Sequence, residues 1–198
     1  MCPTGPLSRA DLADLCVRAF PDRAGQTLVD VLPVPSRQHQ VIGFDLWWMN
    51  DDGILRHEAL VARRYRSTLS WWRPDDRGKA QREVAVCRWL HQEGFPAPAV
   101  YWRQFGPEGD TVLFSRLPGQ PLAQDVLSLR EIVEPYSAGF ARLLARLHSL
   151  TPPDEVRAVV PEVTLVGAIA SLTAVAYQVG DPDLTALTER VMGRAYDV

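Results

Sequence analysis

Residues 79–90, KAQREVAVCRWL, set Glu83, Val86, Cys87 and Leu90 at steps of three and four, so one helix face carries three apolar side chains and a carboxylate. An ionised Glu on an apolar face is costly unless a cation or several donors meet it. The pattern therefore predicts an inward-facing cation close by in space. Residues 58–66 (EALVARRYR) follow an Asp51-Asp52-Gly53 turn and read as a strand, whose alternation puts Val61, Arg63 and Tyr65 on one side of a sheet. Arg63 is the leading partner for Glu83, with Arg64 second.

The helix ends with clear punctuation: Gly94 where a left-handed residue is wanted, then Pro96 and Pro98. Arg82-Glu83, Leu90 and Gly94-Phe95-Pro96-Ala97-Pro98 together resemble the helix-to-strand signature of the aminoglycoside phosphotransferase and choline kinase superfamily, a branch of the protein-kinase-like fold. Three further segments carry the same resemblance. Leu60-Val61-Ala62-Arg63 is similar to the strand bearing the phosphate-contacting cation. Residues 111–119 (TVLFSRLPG) resemble the last N-lobe strand and hinge, and residues 141–150 (ARLLARLHSL) resemble the long helix that ends in Leu-His. The likeness spans roughly residues 28 to 150.

The resemblance implies an α+β protein-kinase-like N-lobe, an antiparallel sheet plus one main helix, followed by a partial all-helical C-lobe. It also implies ATP or GTP as the phosphoryl donor and a small-molecule hydroxyl acceptor. Arg63 would hold the α and β phosphates and Glu83 would orient it. Val61 lies on the same strand, and Phe114, Ser115 and Arg116 form the stretch whose backbone would meet the base edge.

Two departures from the family pattern matter. Residues 34–40 (VPSRQHQ) occupy the place of the phosphate-covering turn without a glycine, the next being Gly43; this loop should hold a nucleotide loosely, or use Ser36, Arg37 and Gln38. The larger departure follows the Leu-His helix. Family members place there a His-Gly-Asp loop with a following Asn, and then an Asp-x-Asp, which supply the base and the magnesium ligands. None is present through Val198. Asp181-Pro182-Asp183 fits an Asp cap with Pro at the first helical position better than a metal motif. The expectation is an N-terminal portion of a kinase that needs a complementary C-terminal half, and Mg2+ only with that half. The competing reading is a non-catalytic module that binds a nucleotide or a protein. The coding sequence beyond codon 198 separates the two.

Composition agrees with a globular domain and excludes other classes. The chain has 198 residues, 46% hydrophobic, with a net charge of −3 and a pI near 5.8, which argues against a general nucleic-acid binder. Residues 63–88 nevertheless hold eight Arg or Lys against three Asp or Glu, either a funnel for phosphates or a solvated roof. Cys2, Cys16 and Cys87 show no disulfide or metal spacing, which suits a reducing, cytoplasmic setting. Residues 163–180 are free of charge but interspersed with polar side chains, which reads as a buried helix and not a membrane span. His39, His57 and His91 read as surface residues, and His148 as a satisfied core or hinge histidine. Trp47-Trp48 and Trp71-Trp72 read as local packing.

Ser8 with Asp11 opens an amphipathic helix over about 8–20 through Leu12, Leu15, Cys16 and Ala19. Strands are expected near 28–34, 41–48, 58–66, 99–104 and 111–117, then helices to the end. The organisation expected is a helical extension at 1–26, an N-lobe at 27–117 and a hinge with an incomplete helical lobe at 118–198. Phe140, Leu143, Leu144, Leu147 and Leu150 form one apolar stripe on the helix that ends in Leu-His. Phosphoryl transfer depends on positioning and charge neutralisation, and losing one such group costs on the order of a hundred- to a hundred-thousand-fold. Purified residues 1–198 are therefore expected to transfer no phosphate from ATP or GTP, and reproducible turnover would refute this.

Overall fold

Residues 39–49 (HQVIGFDLWWM) and 55–65 (LRHEALVARRY) are rich in β-branched, aromatic and alternating apolar residues, the composition that suits a pleated, half-buried surface. In the computed structural model, which describes residues 6–36, 39–65, 78–105, 109–119 and 129–160 (backbone only for 129–137), they form strands β2 (His39–Met49) and β3 (Leu55–Tyr65). The two pair antiparallel along their whole length. The turn between them is closed by Asn50: its N–H donates to the Ile54 carbonyl at 3.0 Å, and its carbonyl accepts from the Gly53 N–H at 3.0 Å. Gly53 has φ +71 there, a conformation in which a side chain would be strained.

Strand β1 (Ala24–Val34) pairs with β2 on the outer side. Strands β4 (Val100–Gln104) and β5 (Asp110–Ser115) complete a five-stranded sheet in the order β1-β2-β3-β5-β4, antiparallel throughout. Helix α2 (Lys79–Gln92) lies between β3 and β4 in sequence. This α+β arrangement is that of a kinase N-lobe. Helices α3 (Leu129–Ser149) and α4 (Asp154–Arg157) follow.

The sheet has two differently covered faces. Helix α1 (Arg9–Ala19) buries Leu12, Leu15 and Cys16 against one of them. There it meets Leu28, Ile42, Phe44, Leu46, Leu60, Ala62 and Leu113 from β1, β2, β3 and β5. The helix starts with a reciprocal cap: the Asp11 N–H donates to Ser8 Oγ at 3.2 Å, and the Ser8 N–H donates to Asp11 Oδ2 at 2.7 Å. Those bonds from Ser8 hold the Asp11 carboxyl below its ordinary range. Arg23 then anchors the exit. Its guanidinium carbon lies 3.7 Å from the Phe20 ring centroid and 4.0 Å from that of Trp48, and Nη1 pairs with Glu58 at 2.7 Å. The Tyr101 hydroxyl donates to the other Glu58 oxygen.

The other face carries Tyr65, Val112 and Phe114, packed against Ala80 and Val84 of α2. Helix α4 packs on α2 through a segment that buries Val156. On α3, Phe140 is 65% exposed, and Leu143 and Leu144 each 40%. Its Arg146 reaches back to α2, donating from Nη2 to the carbonyls of Glu93 at 2.9 Å and Gly94 at 3.1 Å.

The observed boundaries differ from expectation for local reasons. Strand β1 begins four residues before 28, because register shifts at Ala24/Thr27 and Val29/Leu32, with Asp30 at φ 50, break the alternation that marks a strand. Strand β3 begins at Leu55 because Leu55, Arg56 and His57 continue the pairing while exposed. Strand β5 ends at Ser115 and not 117. His148 is exposed, against the expectation of a core or hinge residue, whereas His39 is half-buried with its ring 4.8 Å from that of Tyr65. Residues 66–77 with Trp71-Trp72, residues 163–180 and Asp181-Pro182-Asp183 lie outside the described residues. Among the described residues, no helix is long and apolar enough to cross a membrane.

Leu12 is fully buried, so Leu12→Ala is expected to destabilise the fold by about 2–5 kcal/mol. Ser8→Ala should cost about 1 kcal/mol through the cap. Urea titration checks both, and an unchanged midpoint for Leu12→Ala contradicts the packing of α1 on the sheet.

Candidate functional site: an arginine and a glutamate between sheet and helix

Antiparallel register aligns the site. On β3, Val61 stands between Gly43 and Phe114, and Arg63 between Val41 and Val112. Alternation sends Arg63 and Tyr65 toward α2, while Leu60 and Ala62 enter the core on the α1 side. Helix α2 is set by its ends. It starts after Gly78 at φ +94 and stops at Gly94 at φ +65, where the Phe95 N–H donates to the Leu90 carbonyl at 2.8 Å and the Gly94 N–H to the His91 carbonyl at 3.0 Å. The buried stripe of α2 is Ala80 and Val84, with Glu83 and Cys87 beside it. Val86 and Leu90, read as the core face with Cys87, are only half-buried. The helix contacts the sheet at β4 and β5, on the side where Val84 points.

Arg63 Nη1 donates to Glu83 Oε1, and the Tyr65 hydroxyl donates to Glu83 Oε2 at 2.7 Å. The leading sequence assignment for the partner of Glu83 is thus the observed one. The second candidate, Arg64, points the other way, with Nε 3.4 Å from Thr111 Oγ1. Arg63 and Glu83 side chains are 30% and 29% exposed. Two rings flank the guanidinium, Tyr65 at 5.8 Å and Phe114 at 5.9 Å. Burial works to lower the Arg63 pKa, but Glu83 and Tyr65 outweigh it and hold the value above the ordinary one. Arg63 Nε is buried and finds no hydrogen-bond partner among the described residues. A buried N–H of that kind usually has a partner.

The remaining predicted site residues are placed as follows. Val61 is half-buried and Phe114 is buried, both on the α2 side of the sheet. The Ser115 N–H donates to the Ala99 carbonyl at 2.9 Å, and Ser115 Oγ accepts from the Ala99 N–H at 2.8 Å. The Arg116 N–H donates to the Ala59 carbonyl at 2.8 Å. Both main-chain donors are therefore used within the sheet. The Arg116 side chain folds back over the strands: Nη2 pairs with Asp45 at 2.6 Å, and a Cβ added at Gly43 would meet Nη1 at 3.6 Å. Ser36 Oγ accepts from the His39 N–H at 3.3 Å within the β1–β2 loop, and Arg37 and Gln38 lie outside the described residues.

Sequence reasoning missed two contributors. The alternation of β3 put Tyr65 beside Arg63, which was the available signal for its bond to Glu83. For Asp45 there was no signal, since its partner Arg116 is 71 positions away. Among the described residues, no group of three or more His, Cys, Asp or Glu is placed to share a metal ion.

A sequence model of the phosphotransferase enzyme family (APH) matches residues 43–192, most of the chain, from β2 onward. A search of curated proteins found no match.

Burial pushes the Cys87 thiol from 9.0 up to about 11, with Glu83 adding to the shift, and the Cys16 thiol from 9.0 up to about 12. The folded chain thus holds these protons more tightly than the unfolded one. The stability they contribute is complete below pH 9.0 and is lost as pH rises through about 11 for Cys87 and about 12 for Cys16. Thermal midpoints are expected to fall above about pH 9, and Cys87→Ala to shrink that fall. A midpoint constant to about pH 11 contradicts the burial of both thiols.

Proposed function

The chain belongs to the phosphotransferase enzyme family, and on that premise we propose that residues 27–117 are the nucleotide-binding lobe of a small-molecule kinase transferring a phosphoryl group from ATP or GTP to a hydroxyl. One observation carries the reading: the Arg63 guanidinium is held by Glu83 between the rings of Tyr65 and Phe114, with its side chain still 30% exposed. A guanidinium presents several donors in a rigid plane that matches phosphate oxygens. The donor set therefore fits a polyphosphate. Arg63 would hold the α and β phosphates, and Glu83 would keep its plane in place.

The base would lie against Val61 and Phe114 beside Gly43, where no side chain intrudes from β2. With the Ser115 and Arg116 N–H groups already bonded, main-chain carbonyls of this stretch would meet the base edge. Arg116 over Gly43 borders that space, and Ser36 sits in the loop that would cover phosphates. Mg2+ accompanies nucleotides in such reactions and neutralises phosphate charge; its ligands would come from outside the described residues. The free thiols Cys16 and Cys87 support a reducing, cytoplasmic setting.

A second reading, a non-catalytic nucleotide- or protein-binding module, is favoured by one sequence fact. No His-Gly-Asp with a following Asn occurs in residues 149–198. Under the kinase reading, those groups act together with this lobe as a complementary half. Under either reading that keeps the nucleotide, the pocket is the same.

Arg63→Ala is expected to weaken ATP binding about 10- to 100-fold, the worth of a charge-assisted contact to phosphate. Glu83→Ala should weaken it as well, and should also lower the thermal midpoint by leaving Arg63 half-buried without its partner. Isothermal titration of the 198-residue chain checks this. Unchanged affinity in both variants removes the pocket assignment.

A further inference from the structure

Directly paired strand residues share a face of the sheet. Val29, Leu32 and Val34, opposite Asp45, Gly43 and Val41, therefore lie on the same side as Arg63, itself opposite Val41. They are 36%, 64% and 38% exposed, whereas Leu28, Ile42 and Phe44 on the other side of the same two strands are buried under α1. An apolar surface is thus left open around Gly43, two residues along the strands from the level of Arg63, which is about 7 Å. One polar bar crosses it. The Arg116 N–H is fixed on the Ala59 carbonyl at 2.8 Å, and Nη2 is fixed on Asp45 at 2.6 Å. Between these anchors the side chain lies against Gly43: a Cβ built there would meet Arg116 Nη1 and Val34 Cγ2 at 3.6 Å and Arg116 Cδ at 3.9 Å. Arg116 fills the place that a β2 side chain would take, and is still 40% exposed.

A flat ring that settles on this surface meets Arg116 in one of two ways. It can displace the side chain, which leaves Asp45, only 20% exposed, without its cation. Or it can lie on the side chain and keep the ion pair. The second way keeps every contact and adds one, because an arginine guanidinium stacks on the face of a nucleic-acid base. We propose that Arg116 is a base-stacking residue, with the purine ring of the nucleotide lying on its side chain over Gly43, and that Asp45 is the positioning residue that holds it there. The proposal rests on the nucleotide reading above and gives the base a side-chain contact in place of the β2 backbone. Stacking uses the ring face and leaves the ring edge free, so adenine and guanine are both accepted.

The 198-residue chain and its variants are titrated with adenosine, ATP and inorganic tripolyphosphate. Arg116→Ala is expected to bind adenosine and ATP about tenfold more weakly, with tripolyphosphate affinity unchanged. Asp45→Asn should weaken adenosine binding in the same direction, and should add nothing in an Arg116→Ala background, since it acts through Arg116. A further loss there overturns the role of Asp45. Unchanged or tighter adenosine binding by Arg116→Ala overturns the proposal and leaves the nucleotide reading standing, the tighter result making Arg116 a plug. Equal losses for adenosine and tripolyphosphate indicate a merely structural role and also overturn it. An unaltered chain that binds none of the three ligands overturns the nucleotide reading together with the proposal. Should Arg116→Ala not fold, arginine side-chain NMR of the unaltered chain gives the answer. The Arg116 Nε–H signal, assigned by comparison with Arg116→Lys, should move upfield in the ring current of saturating adenosine and stay in place with tripolyphosphate. A signal that adenosine leaves unmoved overturns the proposal.

Discussion

A half-buried ion pair between a strand and a helix is the constraint around which this lobe is arranged. Arg63 and Glu83 are 20 residues apart, and neither would be placed on an inward face without the other, because burying an unpaired charge costs several kcal/mol. Pairing them offsets that cost, but adds little stability beyond what apolar residues would give. The pair is therefore better explained by what it presents than by what it holds together. It holds a guanidinium between the rings of Tyr65 and Phe114, where we propose that it meets phosphate.

Much of the structure bears on that geometry. The β2–β3 register sets Arg63 opposite Val41, and the β3–β5 register sets it opposite Val112. Helix α2 is stopped by Gly94, and its last carbonyls receive Arg146 from α3. A cation at a helix C-terminus satisfies exposed carbonyls and complements the helix dipole. On the opposite face, α1 covers Phe44, Leu46 and Leu60, while the α2 side buries Tyr65, Val112 and Phe114. A sheet packed on two faces has little freedom to slip, since a one-residue shift would turn Arg63 into the core under α1.

The parts of this arrangement with strong local signals were legible in the sequence. The period of α2, the alternation of β3, the Ser8–Asp11 cap and the Gly94 stop each follow from side-chain spacing or backbone freedom, and together they placed Arg63 against Glu83. The start of β1 was not legible, because its bulges erase the alternation. The exact buried stripe of α2 was missed because Ala80 and Val84 become core through where the helix crosses the sheet, which spacing alone does not state. The Arg116–Asp45 pair and the use of the Ser115 and Arg116 N–H groups depend on strand neighbours distant in sequence. Tertiary pairing decides such contacts, and no local pattern encodes them.

We propose that the Arg63 guanidinium receives the anion in this lobe. Arginine side-chain NMR, with the Arg63 Nε–H signal assigned by comparison with Arg63→Lys, tests it on the intact pocket. Titration with ATP is expected to move that signal saturably, in step with binding, while adenosine leaves it in place. Binding of ATP with the Arg63 Nε–H signal unmoved would contradict the account.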